Sequence, residues 1–298
     1  MSRRAFRRWL SPTAALLATA ALLWQPAFVL ACALAEDAQA YQPSVAEMRE
    51  ALEGAARAQL GAAYPPVPKL ESGHPTATPI SAEMPCAILK SIAWVEGAWQ
   101  QAAGSVAEGA TGPVKRSGSC GYGAMQITSG MRNPGDLPPH TQQRIGADYR
   151  YNAAWGAQLL AEKWNAGDFF GAVMGDRNPS VGEHWYYAVW AYNQFTFRNN
   201  PNNPDYPANR PTFDGTQSKA NYPYQELVWG YMANPPKRGG VALWTPVALG
   251  LPDRALVGQT PGPLPRPAAP HPVACVAAVS PPLDRRLFFP HTAKRAGI

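Results

Sequence analysis

The sequence has five histidines and four cysteines in 298 residues, and neither type recurs at ligand spacing or as a CxxC pair. That scarcity excludes the usual zinc and dithiol redox centres, so no metal and no cofactor are expected. Alternating apolar and polar residues never run long enough to specify a sheet-based domain, and a small hairpin near Gly123 is the one strand candidate. Charge of one sign is also in short supply. The net charge is +6, falling to +4 without residues 1–40, which carry four arginines and two acids. An even spread of so few charges excludes nucleic acid as a partner, though it favours approach to an anionic surface. An uninterrupted apolar span is missing too, because Pro12 and Pro26 break the run from Trp9 to Leu34.

What is present at the start is an export signature. Arg3, Arg4, Arg7 and Arg8 precede that broken apolar run, and Ala38-Gln39-Ala40 offers the small residues a signal peptidase needs. Residues 1–40 are therefore expected to be a cleaved signal peptide, and the protein secreted or placed in the cell envelope. A second outcome is a lipid anchor at Cys32, which follows Val29-Leu30-Ala31. Export places Cys86 and Cys120 in an oxidising compartment, each just before a suggestive segment. They are expected to bond to one another, leaving Cys275 unpaired within the chain.

Thirty-two prolines and 26 glycines predict one folded domain with irregular arms. Residues 41–82 read as an N-terminal helix and linker, the helix carried by Val45, Met48, Leu52, Ala56 and Leu60. Residues 83–236 form the main domain, with helical patterns over 85–96, 151–164, 184–193 and 224–232. The run from Asn199 to Pro211 is too rich in asparagine and proline for helix or ladder and reads as a surface loop. Residues 237–298 read as a proline-rich extended tail.

Three segments carry chemistry. Glu96 ends an apolar helical pattern in which Ile88, Ile92, Val95 and Trp99 share a face, so its carboxyl lies beside a surface that should be buried. Desolvation favours its protonated form and makes it a candidate proton donor near neutral pH. Gly121-Tyr122-Gly123-Ala124-Met125-Gln126 is a tight glycine turn followed by an apolar and an amide side chain. Ala191-Tyr192-Asn193 ends a helix rich in aromatics.

In order and content these segments resemble the lytic transglycosylases of the soluble type, whose fold is that of goose-type lysozyme. The resemblance runs from about Pro85 to Asn193 and includes Asp148, Tyr151-Asn152 and Gly156, which are similar to a further helical motif of that family. It implies a mainly α, lysozyme-like fold with long irregular loops, Glu96 as the catalytic residue, and Gly123, Met125, Gln126, Tyr192 and Asn193 along a sugar cleft. Gly97, Ala124 and Gln194-Phe195 depart from the family pattern, which has serine, leucine and Ala-Gly there.

The reaction implied is cleavage of peptidoglycan between N-acetylmuramic acid and N-acetylglucosamine by a single carboxylate. Glu96 would protonate the leaving oxygen and then deprotonate the muramic C6 hydroxyl, with Tyr192 fixing the carboxyl group and Gln126 holding sugar groups. Glu108 falls in a loop, Asp136 sits beside prolines, and Asp148 opens a helix it can cap. Two alternatives stand beside this one. A lysozyme-like hydrolase would use Asp136 or Asp148 to position water. A cell-wall binding protein would keep the cleft without turnover.

Overall fold

A computed structural model describes residues 31–71, 84–133, 135, 137–167, 171–271 and 275. Over these residues the chain is mainly helical. Helix α1 (Val45–Ala56) starts in a reciprocal cap: Ser44 Oγ accepts from the Glu47 amide at 3.3 Å, and Glu47 Oε2 accepts from the Ser44 amide at 2.8 Å. Helix α2 (Cys86–Gly97) buries Ile88, Leu89 and Ile92 and stops where Ala98 turns left-handed at φ 51°. Helix α3 (Pro139–Ala147) was not foreseen, because two prolines and a polar composition hid it; Pro139 occupies the first turn, where its missing N–H costs nothing. Helix α4 (Tyr149–Asn165) is capped by Asp148, which accepts from the amides of Arg150 at 2.9 Å and Tyr151 at 3.2 Å. Helices α5 (Tyr186–Tyr192) and α6 (Tyr224–Ala233) complete the core.

Helix α4 packs between α1 and α5, and α2 lies on α6. Large rings fill the joints: Trp164 and Trp185 meet with centroids 4.4 Å apart, and Trp99 stacks on Trp244 at 5.4 Å. Among the described residues, strands are confined to three antiparallel pairs of two or three residues, Ala31–Cys32 with Arg132–Asn133, Gln39–Tyr41 with Thr111–Pro113, and Lys237–Arg238 with Val241–Ala242. Near Gly123, the one strand candidate of the sequence, there is a single bridge, in which Tyr122 and Ile127 exchange both backbone bonds at 3.1 Å.

The fold corrects the expectations for cysteine. Cys32 bonds Cys120 with Cα atoms 5.3 Å apart, and Cys86 bonds Cys275 at 4.9 Å, so Cys86 and Cys120 are not partners and Cys275 is not left over. A sulfur bonded to Cys120 is not available for a lipid thioether, which removes the anchor at Cys32. The cut after Ala40 also conflicts with the fold. Ala40 is 2% exposed in the middle of a paired strand, and removing residues 31–40 would delete one half of a disulfide. The apolar leader itself, residues 1–30, lies outside the described residues.

The tail is corrected as well. Leu243, Trp244, Val257, Leu264 and Cys275 are buried, and the segment is sewn to the core. Tyr187 donates its hydroxyl to Gly262 O at 2.7 Å, Leu264 exchanges backbone bonds with Val173 and Gly175, and the buried carboxylate of Glu183 accepts from the His271 amide at 3.1 Å. Prolines spaced every few residues preclude helix, yet an extended chain can still satisfy its polar groups on another surface. Residues 276–298 lie outside the described residues.

Candidate active site

Glu96 occupies the last turn of α2, half-buried at the wall of a cleft of about 810 Å³. Gln126, Lys163, Tyr192, Asn193 and Gln194 also line this cleft. Among the described residues Glu96 is the single carboxylate that lines it. Asp148 caps α4 through Oδ1 and pairs with Arg144 through Oδ2 at 3.7 Å, Glu108 pairs with Arg238 at 2.9 Å, and Asp136 lies outside the described residues.

Burial lifts the Glu96 carboxyl to a pKa of about 7, against smaller opposing contributions from hydrogen bonding to Tyr224 and Asn193, which favour its ionised form. The balance leaves an acid that both gives and takes a proton near neutrality. Asn193 is oriented for this contact. Its Oδ1 accepts from Asn199 Nδ2 at 3.2 Å, which leaves its amide hydrogens for Glu96. The Tyr224 hydroxyl is buried at the start of α6 and has no closer hydrogen-bond partner elsewhere.

The glycine turn is held against this acid by two buried amide side chains. Gln101 Nε2 donates to Gly146 O at 2.6 Å and its Oε1 accepts from the Ala124 amide at 3.2 Å. Asn152 donates to Tyr122 O at 2.8 Å and to Ile145 O at 3.0 Å, while its Oδ1 accepts from the Met125 amide at 2.8 Å. These amides leave no room at the turn. A Cβ on Gly123, where φ is +71°, would stand 2.5 Å from Gln101 Oε1 and 2.6 Å from Asn152 Nδ2. The absence of serine after the glutamate has a similar cause, because a Cβ on Gly97 would meet Ala124 O at 2.4 Å. The turn is therefore packed directly on the end of the Glu96 helix. Left-handed backbone at Ala98, Trp99, Cys120, Gln126 and Gln194 clusters around the same place.

Of the residues singled out from sequence, Glu96, Gln126, Tyr192 and Asn193 come together along the cleft. Gly123 and Met125 do not line it. Gly123 admits the amide hub, and Met125 is fully buried beneath the turn against Gly156, where an added Cβ would lie 2.5 Å from its Cε. Their contribution is to the backbone. Tyr192 also differs from expectation: its hydroxyl donates to Met125 O at 3.1 Å, so it braces the turn and does not fix the carboxyl group. Tyr224 takes the place assigned to it. Sequence gave little hint of that, since nearly every residue of α6 is buried and its tyrosines read alike as core. Gln126 lines the cleft and donates to Gly123 O at 2.8 Å, with its side-chain oxygen beside Gly121.

No family model, curated protein or solved structure matches the chain. The chemistry of the site therefore rests on its geometry. A carboxyl titrating near neutrality, in a cleft lined by amides and hydroxyls, is suited to proton transfer on a polar substrate.

Proposed function

We propose that the protein is a peptidoglycan lytic transglycosylase with a lysozyme-like fold, acting outside the cytoplasm. The observation that carries this reading is the single carboxyl of the cleft with its pKa near 7. Glycoside hydrolysis ordinarily uses two carboxyl groups, one as acid and one as base or nucleophile. One suffices when the substrate supplies its own nucleophile.

In the first step Glu96 gives its proton to the oxygen between N-acetylmuramic acid and N-acetylglucosamine, and the C1–O bond breaks. The ionised Glu96 then takes the proton of the muramic C6 hydroxyl while O6 bonds to C1, closing a 1,6-anhydro ring and restoring the acid. No water is consumed. A hydroxyl on the same sugar has the effective-concentration advantage of an intramolecular nucleophile. Asn193 and Tyr224 favour the carboxylate at the moment it acts as base, and Gln126 offers an amide to sugar substituents. Cys32–Cys120 and Cys86–Cys275 support an extracytoplasmic setting, where disulfides persist.

Product analysis tests the reading. Digestion of sacculi should release muropeptides with anhydro ends, lighter by one water than lysozyme products and unchanged by borohydride. A digest dominated by borohydride-reducible muramic ends would assign the cleft to a hydrolase. Binding without release of either product, by a folded protein, would assign it to glycan recognition alone.

A further inference from the structure

Beyond Asn193 and Gln194 a second compartment of about 580 Å³ adjoins the cleft, sharing those two residues with it. Its walls come from the asparagine-rich loop after α5 and from the start of α6. The loop is a built structure. Arg210, 7% exposed, grips Glu226 of α6 through two hydrogen bonds at 2.8 and 2.6 Å, and Gln225 Nε2 donates to Asn199 O at 2.8 Å. Asn200 and Asn203 side chains accept from amides two residues on, at 2.8 and 3.0 Å, turning the chain without a helix.

Two cations project from this framework. The backbone of Arg198 is fixed by Tyr206, whose hydroxyl donates to its carbonyl at 2.8 Å, and by Asn203 at 3.3 Å. Lys219 lies over the Tyr231 ring at 5.2 Å. Neither is in an ion pair among the described residues, although Arg210, Arg238 and Arg254 all are. Asp205 is the one acid lining the compartment. The third feature is Tyr224. Its ring lines this compartment while its hydroxyl bears on Glu96, so one side chain joins the compartment to the acid.

We propose that this compartment binds the peptide stem carried by the sugar at Glu96, with Arg198 and Lys219 taking stem carboxylates. The inference rests on the transglycosylase reading for the identity of the sugar. A substituent of a sugar held at Asn193 enters the compartment directly, because Asn193 belongs to both spaces. The volume decides between the two carboxylates a muramic residue can carry. It falls in the range of roughly 300–1,000 Å³ that encloses a whole small ligand. A lactyl carboxylate alone would leave most of it empty, whereas the first residues of a stem fill it. Peptide-bearing strands are then the preferred substrate class.

The test measures binding in a Glu96→Gln background, so that turnover plays no part. Sedimentation would use sacculi that are intact or amidated at their carboxyl groups, and glycan strands freed of peptide by an amidase, which no longer hold together as sacculi, would compete with intact sacculi from solution. Intact sacculi should bind about tenfold more tightly than amidated ones, the scale of two partly exposed charge contacts. Arg198→Ala with Lys219→Ala should erase that difference, with unchanged circular dichroism. Asp205→Asn should enlarge it, a gain that misfolding cannot produce. Discrimination that persists in the double variant, or is missing in the Glu96→Gln parent, would overturn the proposal. Competition by the stripped strands as strong as that by soluble peptide-bearing strands would overturn the peptide assignment in favour of the lactyl group. Failure of the transglycosylase reading shows separately, as absent anhydro products from the wild-type enzyme with the charge discrimination intact.

Discussion

The wall formed by the glycine turn, packed on the end of the Glu96 helix, and the strap formed by residues 243–271 with Cys275 are both irregular chain, but they are held by different physics. The wall is fixed by buried amide side chains and left-handed backbone: Gln101 and Asn152 satisfy the turn, and Gln126 and Ala98 bend where few residues do. The strap is fixed by ladder-like backbone bonds, one buried carboxylate and the Cys86–Cys275 bond. Buried side-chain networks set a geometry, because each member is satisfied in one arrangement only. Extended backbone on a surface adds stability with a looser demand on shape. The wall should therefore answer to mutation in turnover, and the strap in stability.

The largest effect expected at the wall comes from Glu96→Gln. A carboxamide keeps the shape and cannot carry the proton, so cleavage of sacculi should fall by about 10²–10⁴-fold with unchanged circular dichroism. A variant retaining more than about a tenth of wild-type turbidity clearance would show that the acid lies elsewhere, since loss of a general acid costs far more than that.

The two disulfides sharpen the comparison, since one belongs to each region. Cys275→Ser releases the end of the strap from the start of α2, across a separation of 189 residues, and should lower unfolding free energy by about 2–4 kcal/mol with kcat nearly unchanged. Cys32→Ser frees Cys120, which has φ 63° immediately before the glycine turn, and should lower kcat as well as stability. Denaturant titration and turnover on sacculi read both variants. Equal loss of activity from the two would break the distinction.

Asn152→Ala tests the wall from within. It strands the buried Met125 amide and removes one donor each from the carbonyls of Tyr122 and Ile145, which keep bonds from the Ile127 amide and from Gln101, so a loss of about 1–3 kcal/mol in urea unfolding is expected. Asn152→Asp should rescue the bond from Met125 and not those to the two carbonyls, because a carboxylate cannot donate. Turnover should follow the same order, wild type above Asn152→Asp above Asn152→Ala.

The difference between the regions also explains what the sequence made legible. Helices with a repeating apolar face were readable: Met48 and Leu52 in α1 and Ile88 and Ile92 in α2 are buried as their spacing predicts, whereas of Trp155, Leu159 and Leu160, the apolar positions of α4, Leu160 is fully buried and the other two are half-buried. The Glu96 carboxyl was readable for the same reason, since it stands beside such a face. Asp148 was readable as a cap from its place before α4. Cysteine pairing was not, because proximity along the chain to a motif says nothing about where Cys32 and Cys275 arrive in space. The strap was not, because its partners are backbone groups with no side-chain pattern. Tyr224 was hidden by the uniform burial of α6, and Met125 was placed in the cleft when only its backbone serves the turn.

The smallest expected effect concerns pH, and it separates a site from a scaffold in thermodynamic terms. Glu96 has its folded pKa raised from 4.5 to about 7, so between those values the unfolded chain has lost a proton that the folded chain keeps. Stability is then full below the unfolded pKa and is lost as pH rises through about 7, by an amount on the order of 2 kcal/mol. Glu183, which anchors the strap, is shifted the other way. Burial opposes its charge, but hydrogen bonds from His271 and from backbone amides outweigh it and hold the carboxyl below its ordinary value. Its contribution is present above the unfolded pKa and is lost as pH falls through the folded one. Glu96→Gln removes the first dependence and leaves the second. Compared by denaturant titration at pH 5 and pH 8, the variant should gain on wild type at the higher pH, while Glu183→Gln should lose at both. A Glu96→Gln protein with the same pH dependence as wild type would mean that burial does not charge the cost of ionisation to this carboxyl, and the account of Glu96 as a poised acid would fall with it.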